Sequence, residues 1–592
     1  MTSRSLRWAW IPVVVVAAAV LVVLWPQKEV AVAQVITQDA YIPPSRVAAS
    51  RAPVAFTDVT ASSGIQFRHY NGAFRKADGT ESRFMPETMG PGLALFDYDG
   101  DDDLDVFVTN SRNFDSSRQV DAAPTARLFR NDGSLRFTDV SRRSRMDLAG
   151  FGMGAAAADY DGDGRRDVLY TSWGGVRLMK NSGDGTFEDV TKAVGLADSG
   201  WRDKQGRLWP SWSTGAVFFD ADDDGALDLF VANYVRWSPE TDVFSSIDGQ
   251  SKSYAKPDLY PGSTCRLYLQ RNGRFVDVTE TSGVFKESAK ALGVALWDFN
   301  GDGRLDIAVA NDTQPNFLFE SQGGGHFMER ALEAGIAYDE NGGTRAGMGI
   351  DAADSSNDGK AVIAIGNFSR EPVSVFRMAA PGFFREASQQ SGVAAPTYLS
   401  LTFGLAYTDI DLDGWQDLVL ANGHIEPRIQ EVEAEVSYRQ RPQVLGNNGE
   451  GKFLDWSATA GQPFQAPIVG RGLAVGDLDG DGDVDIVITE NDGPLHVLRN
   501  DSSGAHYLRV SLKGRSPNID AIGARVEVRA GSLVQRRWVR TGSSYMSQSE
   551  LVSTFGLGAL ETVDELIVTW PNGKRQIIEK PRVDAQLTIE EP

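Results

Sequence analysis

The chain has 592 residues, 42% of them hydrophobic and 23% charged, with a formal net charge of −22. That length calls for two or three domains, and the acidity argues against a nucleic-acid partner, which needs clustered Lys and Arg. A single cysteine, Cys265, rules out an intrachain disulfide framework and reads as a small buried hydrophobe.

In chain order, Arg4 and Arg7 precede an uncharged apolar run from Trp8 to Trp25. As a helix this run rises about 27 Å, close to the ~30 Å of a bilayer core. Its basic flank stays inside, so the rest of the chain is placed outside. Residues 1–25 are expected to be a signal peptide or N-terminal membrane anchor, contacting the membrane through residues 8–25 if uncleaved. Ala31-Val32-Ala33 resembles a signal-peptidase site, and residues 26–50 read as a linker. The folded part is then exported, either periplasmic or on the cell surface, and a retained helix would tether it to the inner membrane.

Between residues 51 and 500 one pattern occurs seven times: an apolar strand, an Asp-rich loop and a second apolar strand. The loops begin at Asp97, Asp159, Asp220, Asp298, Asp354, Asp409 and Asp477. A second motif alternates with them, as FTDVT from Phe56, FTDVS from Phe137, FEDVT from Phe187 and FVDVT from Phe275. Each repeat therefore holds about four short strands, and four-stranded units repeated without helices favour a propeller. The expected fold is all-β, a seven-bladed β-propeller followed by a small β-rich domain over residues 501–592. The strand at Phe56 comes before the first loop and is expected to complete the last blade.

Oxygen-rich loops of this kind suit calcium, a hard cation taking six to eight oxygen ligands. Carboxylates at positions 1, 3, 5 and 9 and the carbonyl of position 7 can curl around one ion, with Gly at positions 4 and 6 allowing the turn. The candidate ligands are Asp97, Asp99, Asp101, Asp103 and Asp105 in the first loop and Asp159, Asp161, Asp163, Arg165 and Asp167 in the second. The third offers Asp220, Asp222, Asp224, Ala226 and Asp228, and the fourth Asp298, Asn300, Asp302, Arg304 and Asp306. The sixth offers Asp409, Asp411, Asp413, Trp415 and Asp417, and the seventh Asp477, Asp479, Asp481, Asp483 and Asp485. The fifth loop has Ser356 at position 3 and Val362 at position 9, so about six Ca²⁺ sites are expected and the loop from Asp354 should be weak or empty. Without His or Cys in the loops, transition metals fit poorly.

The stretches GLALFDYDGDDDLDVFV from Gly92 and GLAVGDLDGDGDVDIVI from Gly472 resemble FG-GAP/VCBS repeats of integrin-type propellers. GARVEV from Gly523, TGSSYMSQSE from Thr541, FGLG from Phe555 and VTWPNGK from Val568 resemble the ASPIC/UnbV domain. The two together resemble bacterial relatives of cartilage acidic protein. The resemblance implies an integrin-like, calcium-binding, extracellular propeller without an established activity.

Independently of it, Asn572-Gly573 marks a hairpin between Leu566–Trp570 and Gln576–Ile578. The polar run Ser543–Gln548 is either a ligand contact or a hydrogen-bonded structural loop. His69, Glu87 and His424 either converge as an acid–base site or are hydrogen-bonded loop residues. No nucleophile or metalloprotease motif is present, so no catalytic residue is assigned. Three insertions, 201–212, 237–262 and 424–442, are candidate surfaces for protein or carbohydrate, their tryptophans being either exposed anchors or core. The expected function is a binding or adhesion module, with a propeller-based cyclase, lyase or isomerase as the alternative.

Overall fold

The computed structural model describes residues 54–592 apart from 77–78, 115–123 and 503. The expected signal or anchor and its linker lie outside the described residues. Among the described residues no helix is long and apolar enough to cross a membrane.

Seven four-stranded antiparallel sheets form the propeller. The second blade is typical, with strands Phe151–Ala158, Asp167–Trp173, Gly175–Asn181 and Phe187–Asp189 in sequential order. The innermost strands of the blades are Leu93–Phe96, Phe151–Ala158, Ser213–Phe219, Ala291–Trp297, Ile350–Ala353, Thr402–Thr408 and Gly470–Gly476. Each packs on the next and the last packs on the first, which closes the ring by side-chain packing. These strands are buried on both faces, and they read as continuous apolar or small-residue runs. Cys265, just before the third strand of the third blade, is buried in the core that includes Phe230 and Leu267.

The seventh blade borrows its outer strand from the start of the propeller. Phe56–Asp58 pairs antiparallel with Leu495–Asn500, placing Phe56 opposite Asn500. His496 ties this seam, with Nε2 3.1 Å from Glu490 and Nδ1 3.6 Å from Asp58. Burial alone would lower the imidazole, but its bonds to Asp58 and Glu490 push it up to about 9.

The FxDV(S/T) motif has a specific mechanical role. In FTDVS the Asp139 carboxylate accepts the amide of Ser141, and the Ser141 hydroxyl accepts the amide of Leu128 on the third strand. Asp189 and Thr191 repeat this with Leu178, and Asp277 and Thr279 with Leu267. Each copy thus caps a turn and fastens it to the neighbouring strand.

After Asn500 a second group of strands begins. A sheet of Leu533–Trp538, Arg525–Ala530, Glu565–Thr569 and Arg575–Glu579 faces a three-stranded sheet of Ser553–Gly558, His506–Lys513 and Ala585–Glu590. Leu508, Val526, Phe555, Val568 and Trp570 fill the space between them. The hairpin expected at Asn572-Gly573 is present, with Gly573 at φ 79°.

From this second domain, the segment Thr541–Glu550 extends into the middle of the ring. Gln548 forms reciprocal backbone bonds with Leu93 and Leu95, at 2.9 and 3.0 Å. Ser544 exchanges two with Ile350, at 2.8 and 3.1 Å, and the Ala155 amide donates to the Met546 carbonyl. The amides of Phe218, Leu405 and Val475 donate to the hydroxyls of Thr541, Ser544 and Ser549. Trp538 meets Trp297 of the fourth blade edge to face, with centroids 6.1 Å apart. A Cβ on Gly92 would lie 2.0 Å from the Met546 carbonyl, so close backbone approach requires glycine there. The run Ser543–Gln548 is therefore a hydrogen-bonded structural plug, and its small polar side chains match inner-edge amides that have no neighbouring strand.

Candidate metal loops and the opposite face

In a meander of four antiparallel strands, the first and third turns lie at one end and the second and the inter-blade turn at the other. All seven Asp loops are first turns and share one face. The insertions 237–262 and 424–442 are second turns and 201–212 is an inter-blade turn, so all three lie on the opposite face.

Every Asp loop has the same backbone. Positions 4 and 6 are left-handed in all seven, as in Gly162 and Gly164 of the second loop. Where glycine is missing, Asp102, Asp223, Asn357 and Leu412 take the same conformation. The position-1 carboxylate holds the turn by accepting amides of residues inside it, as Asp159 does from Asp163 and Gly164 at 3.0 and 2.7 Å. Asp220, Asp298, Asp354 and Asp409 repeat this at their own positions 5 and 6. The position-5 carboxylate accepts the amide of position 7, as in Asp163 to Arg165, Asp224 to Ala226, Asp302 to Arg304 and Asp413 to Trp415.

Position 9 serves a purpose that spacing alone does not disclose. Asp167 accepts the amides of Tyr160 and Asn181, bonding its loop to the third strand of the blade. Asp105, Asp228, Asp306, Asp417 and Asp485 do the same. These carboxyls are fully buried. Burial pushes Asp105 up to about 9 and Asp167, Asp228 and Asp306 up to about 8.

The oxygens of positions 1, 3 and 9 converge. In the first, second, third, sixth and seventh loops, one oxygen from each of these three residues lies within 4.8 Å of the other two. The position-3 atoms Asp161 Oδ1, Asp222 Oδ1 and Asp479 Oδ1 are buried and accept no hydrogen bond. Lys180 and Arg271 pair with the other oxygens of Asp161 and Asp222, but the buried Oδ1 atoms still lack a donor, which is costly unless a cation meets them, so the loops fit a hard divalent ion. The fourth loop turns its position-3 amide otherwise, with Asn300 Nδ2 donating to Asp302 at 3.0 Å.

The fifth loop keeps the turn and changes the chemistry. Asp354 is fully buried, and Arg536 of the second domain places a guanidinium nitrogen 3.6 Å from its Oδ2. Arg377 bonds Ser356 at 2.7 Å. The second domain reaches other loops too. Asp520 accepts the Asp159 amide and pairs with Arg166, while Arg509 bridges Asp477 and Glu550 at 2.7 and 2.8 Å. Sequence reasoning missed these contacts, because single Arg and Asp residues on a remote β-domain carry no periodic signal.

On the opposite face, His69, Glu87 and His424 are buried, and each lies in a hydrogen-bonded segment. Arg471 gathers the segments, donating to the carbonyls of Thr88 and Gly423 at 2.8 and 3.0 Å. Burial lowers His69 to about 3 and His424 to about 4, and raises Glu87 to about 7. Of the insertion tryptophans, Trp212 and Trp237 belong to the core beneath this face. The exposed large apolar side chains of the three insertions are Leu208, Val243, Phe244, Leu259 and Val432.

The chain aligns with cartilage acidic protein 1 of Mus musculus, at 27% identity over 83% of this chain and 71% of the relative. The Homo sapiens protein of that name aligns at 26% identity over 83% and 70%. A solved rhamnogalacturonan lyase of Bacillus licheniformis aligns at 13% identity with a TM-score of 0.35, over 74% of each chain. The ASPIC and UnbV family matches residues 514–592. The FG-GAP-like repeat matches residues 97–170, 159–231, 241–309, 298–365 and 409–488, more than half of the chain. The repeated loops, the seven blades and these matches agree: the chain belongs to the FG-GAP-like repeat family and carries an ASPIC and UnbV domain at its C-terminus.

Proposed function

We propose that the protein is an exported, calcium-stabilised propeller acting as an extracytoplasmic binding or adhesion module. The observation that carries the calcium reading is the set of buried position-3 oxygens, Asp161 Oδ1, Asp222 Oδ1 and Asp479 Oδ1, each without a hydrogen-bond donor and each beside two further carboxylates. The ligands are those at positions 1, 3, 5 and 9 with the position-7 carbonyl. Position 9 both ligates and clamps, since each carboxylate oxygen has two lone pairs. Six ions then neutralise the loops of blades one to four, six and seven, and the fifth loop is served by Arg536.

Export is supported by the basic flank and apolar run of residues 4–25 and by the curated relatives, whose name refers to an extracellular tissue. Protein or carbohydrate is bound by the loops 201–212, 237–262 and 424–442, opposite the ions. Calcium titration of the EGTA-stripped, residue 51–592 protein tests the loop reading. Saturation near six ions is expected, and a stoichiometry near zero overturns it. A reporter fused after Pro592 tests export, and activity confined to the cytoplasm would refute it.

A further inference from the structure

A cavity of about 370 Å³ opens on the face opposite the Asp loops, where the inner ends of several blades meet. That volume is in the range of small-molecule sites, roughly 300–1,000 Å³. Its walls are mainly apolar, with Leu292, Met348 and Phe403 among the buried residues lining it. Met85, Met89 and Met348 all line it, and flexible thioether side chains of this kind adapt to ligand shape.

The charged part of the wall is mainly acidic. Five acidic residues line the cavity, Asp258, Asp312, Glu371, Glu426 and Glu433, against one basic residue, Lys256. The cations paired with three of these acids are Lys290, Arg428 and Arg370, and none of them is among the lining residues. The cavity therefore presents carboxylates, while the compensating charge sits outside its wall. Asp312 is the most constrained of the five. It is buried and lines the cavity with Tyr234, Leu292 and Met348; Tyr234 donates to its Oδ2 at 2.5 Å, and the buried Lys290 lies close enough to act on its charge from outside the wall.

We propose that this cavity binds an organic cation with an apolar body, an aryl- or alkylamine, its ammonium directed to Asp312 and its body laid against Leu292, Met348 and Phe403. The apolar wall supplies burial and the carboxylates select charge, because leaving a desolvated carboxylate opposite an anionic ligand is strongly unfavourable. The assignment rests on reading the chain as a binding module and gives that module a ligand class.

The test uses three probes that share an indole body and differ in charge: tryptamine, 3-ethylindole and indole-3-propionate. Titration calorimetry on the calcium-loaded protein should show saturable tryptamine binding, with indole-3-propionate at least tenfold weaker. Asp312→Asn should weaken tryptamine at least tenfold and leave 3-ethylindole within twofold. Met348→Trp, which fills the cavity, should abolish binding of all three. Equal affinity for amine and acid, or no saturable tryptamine binding, overturns the proposal. If Asp312→Asn fails to fold, the preference of the unaltered protein between amine and acid decides. Calcium stoichiometry on the same samples separates the two readings. Protein that holds its calcium but ignores tryptamine refutes the cavity alone, and protein that binds tryptamine without calcium refutes the loops alone.

Discussion

The second and fifth Asp loops have the same backbone and different side chains at positions 3 and 9. Both hold positions 4 and 6 left-handed, and both use their first Asp to gather amides of positions 5 and 6. In the second loop Asp161 and Asp167 complete a cluster with Asp159. In the fifth Ser356 and Val362 stand in their places and a guanidinium approaches Asp354. The loop is thus a scaffold whose shape comes from backbone hydrogen bonding and whose charge can be balanced by an ion or by a side chain from another domain. Loss of metal ligands at one blade need not loosen that blade.

The broadest way to break this comparison is to strip the protein of divalent metal. At millimolar calcium and Kd near 10⁻⁴–10⁻³ M, each site adds about 0.4–1.4 kcal/mol, and six add several. Scanning calorimetry should show the melting temperature falling in EGTA, recovering with calcium and responding little to magnesium. An unchanged melting temperature after verified metal removal would return the loops to the status of solvated turns.

Next in size is Asp354→Ala. It removes a buried acceptor of two amides and one of the two carboxylates beside Arg536, the other being Glu527 at 2.8 Å, a loss of about 2–4 kcal/mol in denaturant unfolding. Calcium stoichiometry should nevertheless stay the same. Asp159→Ala should cost less in calcium-loaded protein, about 1–2 kcal/mol, and remove about one ion. Equal ion losses from the two variants would show that the fifth loop binds calcium after all.

The seam of the seventh blade is a control that needs no loop, because its cation is an imidazolium. His496 is raised from 6.5 to about 9, so its contribution is fully present below pH 6.5 and is lost as pH rises through 9. Calcium-loaded protein should lose about 1–2 kcal/mol between pH 6 and pH 9.5, and His496→Gln should flatten that slope. An unchanged slope in the variant would place the transition elsewhere. The smallest effect sharpens the comparison directly: Ser356→Asp with Val362→Asp and Arg536→Gln should gain one calcium ion, counted by equilibrium dialysis, with stability within about 1 kcal/mol of the parent in calcium.

The parts of this fold that were legible in the sequence are those that repeat. Seven Asp loops at blade spacing and the early Phe56 strand announce both the ring and its closure, because each blade repeats the same short-range hydrogen bonds. The convergence of carboxylates in five of the loops was legible for the same reason. The double use of position 9 was not, since whether Asp167 clamps Asn181 depends on a strand pairing that the motif does not contain. Nor was the docking of the second domain. Arg509, Asp520 and Arg536 lie at unrelated spacings, and their partners Asp477, Asp159 and Asp354 already had a reading as part of the loops.

The plug also sets a timetable for making the molecule. Leu93 donates to the Ser547 hydroxyl across 454 residues of sequence, and the inner edges of the second, third, fifth, sixth and seventh blades likewise await residues 541–549. During vectorial synthesis these edges emerge early and are sealed almost last. Contacts so distant in sequence slow folding, and unsealed edges invite pairing with other chains. A nascent chain that stalls near Asn500 would carry the sequence of every blade and still lack the segment that makes the ring safe to release.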